Sequence, residues 1–145
     1  MKKAVNVLIF ILFFWFTLDI VGMKIGHFYL VASAIKDEPI DIVWWVIFIL
    51  CFILFIIKDK IGKYILLSFI SIWCVIQYSM YLKSKKKIES YNSFFKETHH
   101  IIYPSNNFLI KDTYHIFLDL LLFIVLLSLI IFTIKSRKQH KSSRS

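Results

Sequence analysis

Apolar positions gather into four long runs, about Ala4 to Met23, Ile40 to Ile57, Ile61 to Leu82 and Tyr114 to Ile134, separated by shorter polar segments. Within each run Ile, Leu, Phe and Val follow one another with no alternation of polar residues. A helix climbs about 1.5 Å per residue and a hydrocarbon layer is about 30 Å thick, so roughly 20 apolar residues cross it and about 17 suffice. The pattern predicts four transmembrane helices. It excludes a water-filled β-barrel, which needs alternating segments of about ten residues.

The polar breaks carry helix-boundary chemistry. Lys36-Asp37-Glu38-Pro39, with Asp41 just after it, sets acids and a proline at the start of the second run. Asp59 and Asp112-Thr113 do the same for the third and fourth. Carboxylates there bond orphan amides and complement the helix dipole, and proline's fixed φ suits a first turn. Lys58-Asp59-Lys60 is so short a link that the second and third helices must form an antiparallel hairpin. The fold expected is an all-α integral membrane protein, its four helices in an antiparallel up-down bundle forming a single domain over 1–134.

Two segments need separate treatment. The first run follows Lys2-Lys3 and precedes Ala32-Ser33-Ala34, the elements of a cleaved signal peptide, but its apolar core exceeds the usual 7–15 residues and the cut would lie far beyond it. A retained helix is the better reading. In the third loop, Ile88, Tyr91, Phe95 and Ile102 recur at helical spacing, so 88–103 can lie as an amphipathic helix on lipid headgroups. Lys83, Lys85, Lys86 and Lys87 would anchor it, and Pro104-Ser105-Asn106-Asn107 would end it. Residues 135–145 read as a basic, disordered tail.

Composition agrees with lipid as the solvent. Of 145 residues 59% are hydrophobic, against roughly 45–50% in ordinary soluble chains. A domain this small has too little interior to hide the excess. The net charge of +9 would suggest nucleic acid in a soluble chain; here the basic residues flank apolar runs, and the lipid bilayer is the expected partner, with no nucleic acid. With the N-terminus inside, ten lysines and arginines fall on the cytoplasmic side and eight on the longer outer segments. The positive-inside rule then favours a multi-pass plasma-membrane protein with both termini cytoplasmic, the Lys83–Lys87 run opposing it. Abundant Ile, Lys, Phe and Asn, with short loops, give the chain a bacterial cast.

Catalytic signatures are missing from the sequence. Three glycines cannot build a phosphate-cradling loop, and no GxSxG, HExxH or paired CxxC occurs. Ser84 to Lys87 matches SxxK only by lying in a lysine run. Cys51 and Cys74, deep in the second and third helices, read as small hydrophobes, and no cofactor or metal is implied.

Capping explains most acids but leaves Asp19 and Asp119 inside apolar runs. An acid at a helix centre costs about 2.5–3.5 kcal/mol on insertion scales, so such residues face protein or water and mark candidate sites. At 1.5 Å per residue both lie roughly 6–9 Å below the same membrane face. His115, four residues before Asp119, shares its helix face and can pair with it. Gln77 and Tyr78 reach that depth from the third helix, with Tyr81 and His27 nearer the rim. An outward-opening pocket of Asp19, Gln77, His115 and Asp119 would bind a cation, exchange protons or hold a polar ligand; the plainer reading is interhelical hydrogen bonding.

Three functions compete. The favoured one is a non-enzymatic accessory, assembly or immunity-type factor, working by helix contacts with a membrane-protein partner or as a homo-oligomer. The second is an oligomeric transporter or channel using Asp19, Asp119 and His115. The third, a membrane-embedded enzyme with His115 and an acid as its acid-base pair, lacks a nucleophile.

Overall fold

The computed structural model describes residues 1–37, 39–79, 85–102 and 111–142. Its helices are α1 (Lys2–Val21), α2 (Ala34–Asp37), α3 (Pro39–Ile57), α4 (Asp59–Ser79), α5 (Lys85–Phe94) and α6 (Thr113–Ser142). A hairpin of β1 (Met23–Ile25) and β2 (Phe28–Val31) follows α1. Four helices, α1, α3, α4 and α6 over 113–137, are long and apolar enough to cross a membrane. They correspond to the four apolar runs.

These four pack in a ring, α1 against α3, α3 against α4, α4 against α6 and α6 back against α1. A stripe along α6, Leu118, Leu122, Val125, Leu129 and Phe132, is buried throughout. Opposite it, Ile9, Leu12 and Phe16 of α1 and Leu66, Ile70 and Trp73 of α4 complete the core. Aromatic rings fill the space between α1, α3 and α4: Phe16 lies 4.5 Å from Trp73, and Trp44 4.9 Å from Phe69. Between α3 and α4 the fit is tight enough to require a glycine, since a Cβ on Gly62 would lie 2.5 Å from the Leu54 carbonyl oxygen and the Phe55 Cα. Cys51 and Cys74 are buried free thiols, as their depth implied.

Contacts at the helix ends show which termini meet. Lys2 at the start of α1 pairs with Asp59 at the start of α4, 3.3 Å apart, and Lys63 in the first turns of α4 donates to the Ser136 hydroxyl of α6 at 2.6 Å. This is termed the basic end. At the other, the hairpin end, Trp15 of α1 meets Tyr114 of α6, and Trp45 of α3 donates to the Thr17 hydroxyl at 3.1 Å.

Several local features depart from the sequence reading. The polypeptide after α1 does not run on as loop but turns into the hairpin, where Ile25 pairs with Phe28 across a two-residue Gly26-His27 turn. Gly26 has φ +59° and His27 has no positive φ, the pattern of a type II′ turn that matches strand twist. Gly22, at φ +80°, closes α1 by returning its amide to the Leu18 carbonyl at 2.8 Å, and Ser33 caps the Ile20 carbonyl. The third-loop helix forms, but as Lys85–Phe94, with a turn from Phe95, where a helix over 88–103 was expected. At the C-terminus α6 stays helical as far as Ser142, where a disordered tail was expected from Lys135. Lysine, arginine and glutamine are good helix formers, so an established helix extends through them at little cost.

Candidate functional site at the hairpin end

Asp119 sits on the buried face of α6, one turn beyond His115 and next to Leu118 of the core stripe. Its carboxylate is answered by Lys111, whose ammonium lies 2.8 and 3.0 Å from the two oxygens. Lys111 is 1% exposed. It stands two residues before α6 and turns its side chain inward, where the ammonium also donates to the Gln77 side-chain oxygen at 3.0 Å and to the Gln77 carbonyl at 3.1 Å. Tyr78 donates to the Asp119 backbone carbonyl at 3.2 Å. The last turn of α4, the approach to α6 and the second turn of α6 thus meet on one cation. An isolated buried charge would be prohibitive; a pair whose remaining protons find acceptors is tolerated and fixes geometry.

His115 takes a different partner from the one its spacing suggested. Its Nδ1 lies 2.6 Å from Asp112 Oδ1, the oxygen that also accepts the His115 backbone amide at 2.9 Å. Asp112 therefore acts as the predicted N-cap of α6 and binds the ring as well. The i, i+4 relation to Asp119 loses because the cap draws the imidazole back toward the helix start. Burial pushes the Asp112 carboxyl up, but the hydrogen bonds and charge of His115, with the nearby Thr98 hydroxyl, outweigh it and hold the group below its ordinary carboxylate range. The ring itself is enclosed by aromatic edges, Phe95 at 5.0 Å and Tyr114 at 5.1 Å.

Around this pair the segment after α5 binds the hairpin to α6. The His99 amide donates to the Tyr29 carbonyl at 2.6 Å, and the Thr113 amide donates to the His99 carbonyl at 2.9 Å. His99 Nδ1 lies 2.8 Å from the Thr113 hydroxyl, and its ring rests 4.9 Å from Phe28. Ile88 of α5 is buried, and Tyr91 stacks on Phe95, so the apolar side of α5 faces this cap. Below it, Trp15 and Tyr114 stack at 5.5 Å with planes 5° apart, each side chain donating to the other's backbone carbonyl at 3.2 Å.

Of the predicted cluster, Gln77 and Asp119 are brought together through Lys111, with Tyr78 beside them. His115 joins Asp112. Asp19 is half-buried near the end of α1, within electrostatic reach of Tyr114. His27 is exposed at the hairpin tip, away from the cluster. Tyr81 and Lys83 lie outside the described residues, as do the side chains of Lys85, Lys86 and Lys87. A hollow of about 260 Å³ opens beside the hairpin, lined by Tyr29, Ser93, Lys96 and Thr98 among others, and none of Asp19, Gln77, His115 or Asp119 lines it. Among the described residues no group of three His, Cys, Asp or Glu side chains is placed to hold a metal ion.

Lys111 is the residue that sequence reasoning missed. It was counted as a loop charge, yet a lysine placed just before an apolar helix has a stem long enough to cover apolar surface and reach inward to an acid. No protein-family model matches the chain, nor does any curated protein or solved structure.

Proposed function

We propose that the chain is a multi-pass membrane protein whose four long helices form an antiparallel up-down bundle, acting without catalysis through helix contacts with a membrane-protein partner or a second copy of itself. The observation that carries this reading is the Lys111–Asp119 pair. The acid that most suggested chemistry is neutralised inside the fold and ties α4 to α6. What the molecule leaves uncommitted is apolar surface, most of all on α3, where only 17% of its most apolar window is buried. Val43, Leu50 and Ile57 are exposed there. The pairings at the helix ends support the up-down arrangement, and the surplus of basic residues beside the chain termini supports a cytoplasmic position for both.

The same pair argues against the conducting alternative, because Lys111 fills the place a bound cation would need beside Asp119. A photo-crosslinking residue at Leu50 should yield one adduct of defined mass in native membranes, and the same residue at buried Phe48 should not. Lipid adducts alone at Leu50 would overturn the contact reading. Proton or cation flux in reconstituted vesicles, abolished by Asp119→Asn in a folded protein, would establish the transporter in its place.

A further inference from the structure

The charge of this protein is distributed unevenly between its two ends. At the basic end lie the starts of α1 and α4 and the end of α6, brought together by Lys2–Asp59, Lys63–Ser136 and an edge contact of Phe55 with Phe132 at 5.7 Å. In sequence, the stretches 1–3, 58–63 and 135–145 that include these ends contain ten lysines and arginines and a single acid, Asp59. Lys2 already answers that acid. The segments from Asp19 to Asp41 and from Lys83 to Asp119 hold eight basic residues against eight acids. In the sequence, the whole net charge of +9 therefore falls in the three stretches of the basic end.

Two further features point outward from that end. Lys63 is 8% exposed, and the described acceptor of its ammonium is a neutral hydroxyl, Ser136, with the Tyr64 ring 5.2 Å away. A buried ammonium bound to a hydroxyl and a ring face keeps most of its positive potential, which a nearby anion would offset. Meanwhile α6 continues eight residues beyond Ile134, carrying Lys135, Arg137, Lys138 and Lys141. At 1.5 Å per residue that extension adds about 12 Å, a headgroup layer's depth beyond the apolar segment.

We propose that the basic end is a docking surface for anionic phospholipid headgroups. The phosphate chemistry follows from the charge, and the lipid source from position. Lys58, Lys60, Lys135 and Arg137 are exposed immediately where apolar helices stop, a depth that a lipid phosphate occupies and a rigid nucleic-acid duplex reaches poorly. Juxtamembrane lysines and arginines gain about fivefold in affinity apiece near an anionic surface. This inference rests on the membrane reading above.

The test uses the full chain purified in mild detergent, with lipid retention followed by native mass spectrometry. Phosphatidylglycerol and phosphatidylcholine of matched acyl chains are the probes. Phosphatidylglycerol should be retained at least about tenfold better, and the preference should fall toward equality when Lys58, Lys60, Lys135 and Arg137 are all replaced by glutamine. Those four side chains are exposed, so the variant keeps its core, which an unchanged thermal midpoint verifies. Lys24→Gln with Lys96→Gln, at the hairpin end, should leave the preference intact. Equal retention of the two lipids overturns the proposal, as does a preference indifferent to the fourfold variant. Displacement by equimolar inorganic phosphate would reassign the surface to free anions, and tighter binding of a short duplex would reassign it to nucleic acid. Extraction of the chain from membranes by alkaline carbonate would refute the membrane reading itself, whereas resistance to extraction without lipid preference refutes this inference alone.

Discussion

The hairpin end and the basic end of this molecule solve the same problem, closing a ring of helices, by different means. At the hairpin end polar groups are drawn inside and bonded several times over, Lys111 by Gln77 and Asp119, Asp112 by the amide and ring of His115. At the basic end the closure is apolar, with Gly62 against α3 and Phe55 against Phe132, while Lys3, Lys58, Lys60, Lys135 and Arg137 are exposed. Lys2 and Asp59 form an ion pair there, but their side chains are 39% and 46% exposed. Polar residues thus determine the geometry where they are buried and remain free to meet the surroundings where they are not. Stability should accordingly respond to charge at one end and to volume at the other.

The largest break in that contrast comes from Asp119→Asn, which leaves the Lys111 ammonium buried without its counter-ion. Loss of one partner of such a pair costs about 3–5 kcal/mol, to be read as a fall in the midpoint of denaturation in detergent. Lys111→Met combined with Asp119→Leu should restore most of the loss, since an apolar pair of similar volume removes both desolvation costs. No recovery in the double variant would mean the two residues do not act as a unit.

At the basic end the sensitive position is Gly62. A methyl group added there meets α3 backbone rather than a flexible side chain, so Gly62→Ala should cost about 1–3 kcal/mol and separate α3 from α4. Disulfide cross-linking between cysteines placed across that interface would report the separation directly. If Gly62→Ala proves as stable as the parent, the close approach of the two helices is disproved.

A smaller effect belongs to the cap. Replacing Asp112 by alanine removes a helix N-cap and should cost about 1 kcal/mol. The folded Asp112 carboxyl releases its proton more readily than an ordinary one. The unfolded chain therefore binds the extra proton first, and the stabilisation is complete above the ordinary carboxylate pKa of about 3.9. It is lost as pH falls through that value toward the lower folded one. Thermal midpoints measured across this acid range should fall less steeply in Asp112→Ala than in the parent.

The smallest effect is expected from Lys2→Gln, which breaks an ion pair with both partners part-exposed and should change stability by under about 1 kcal/mol. A loss comparable to that of Asp119→Asn would erase the distinction between the two ends.

The four long helices were legible because a run of some twenty apolar residues has few alternatives. Capping by Asp112 was legible for a similar reason, being a property of neighbours along the chain. The hairpin was hidden by its own composition: Met23, Ile25, Phe28, Leu30 and Val31 look like the trailing edge of the first span. The Gly26-His27 turn between short β-forming residues was the available signal. Gln77 and Asp119 meet because depth along a helix places them at one level, but depth does not say which cation reaches them. The choice of Asp112 by His115 was not legible, because no sequence rule ranks a cap against a helix-face neighbour.

The Trp15–Tyr114 bracket joins residues 99 positions apart, on the first and the last of the four long helices. The ring is therefore closed by partners that the sequence holds far apart. Remove either α1 or α6 and the indole N–H of Trp15 or the hydroxyl of Tyr114 loses the carbonyl that accepts it. A buried donor left unpaired is a standing penalty, so the four helices hold as a closed set and no three of them keep the same seam.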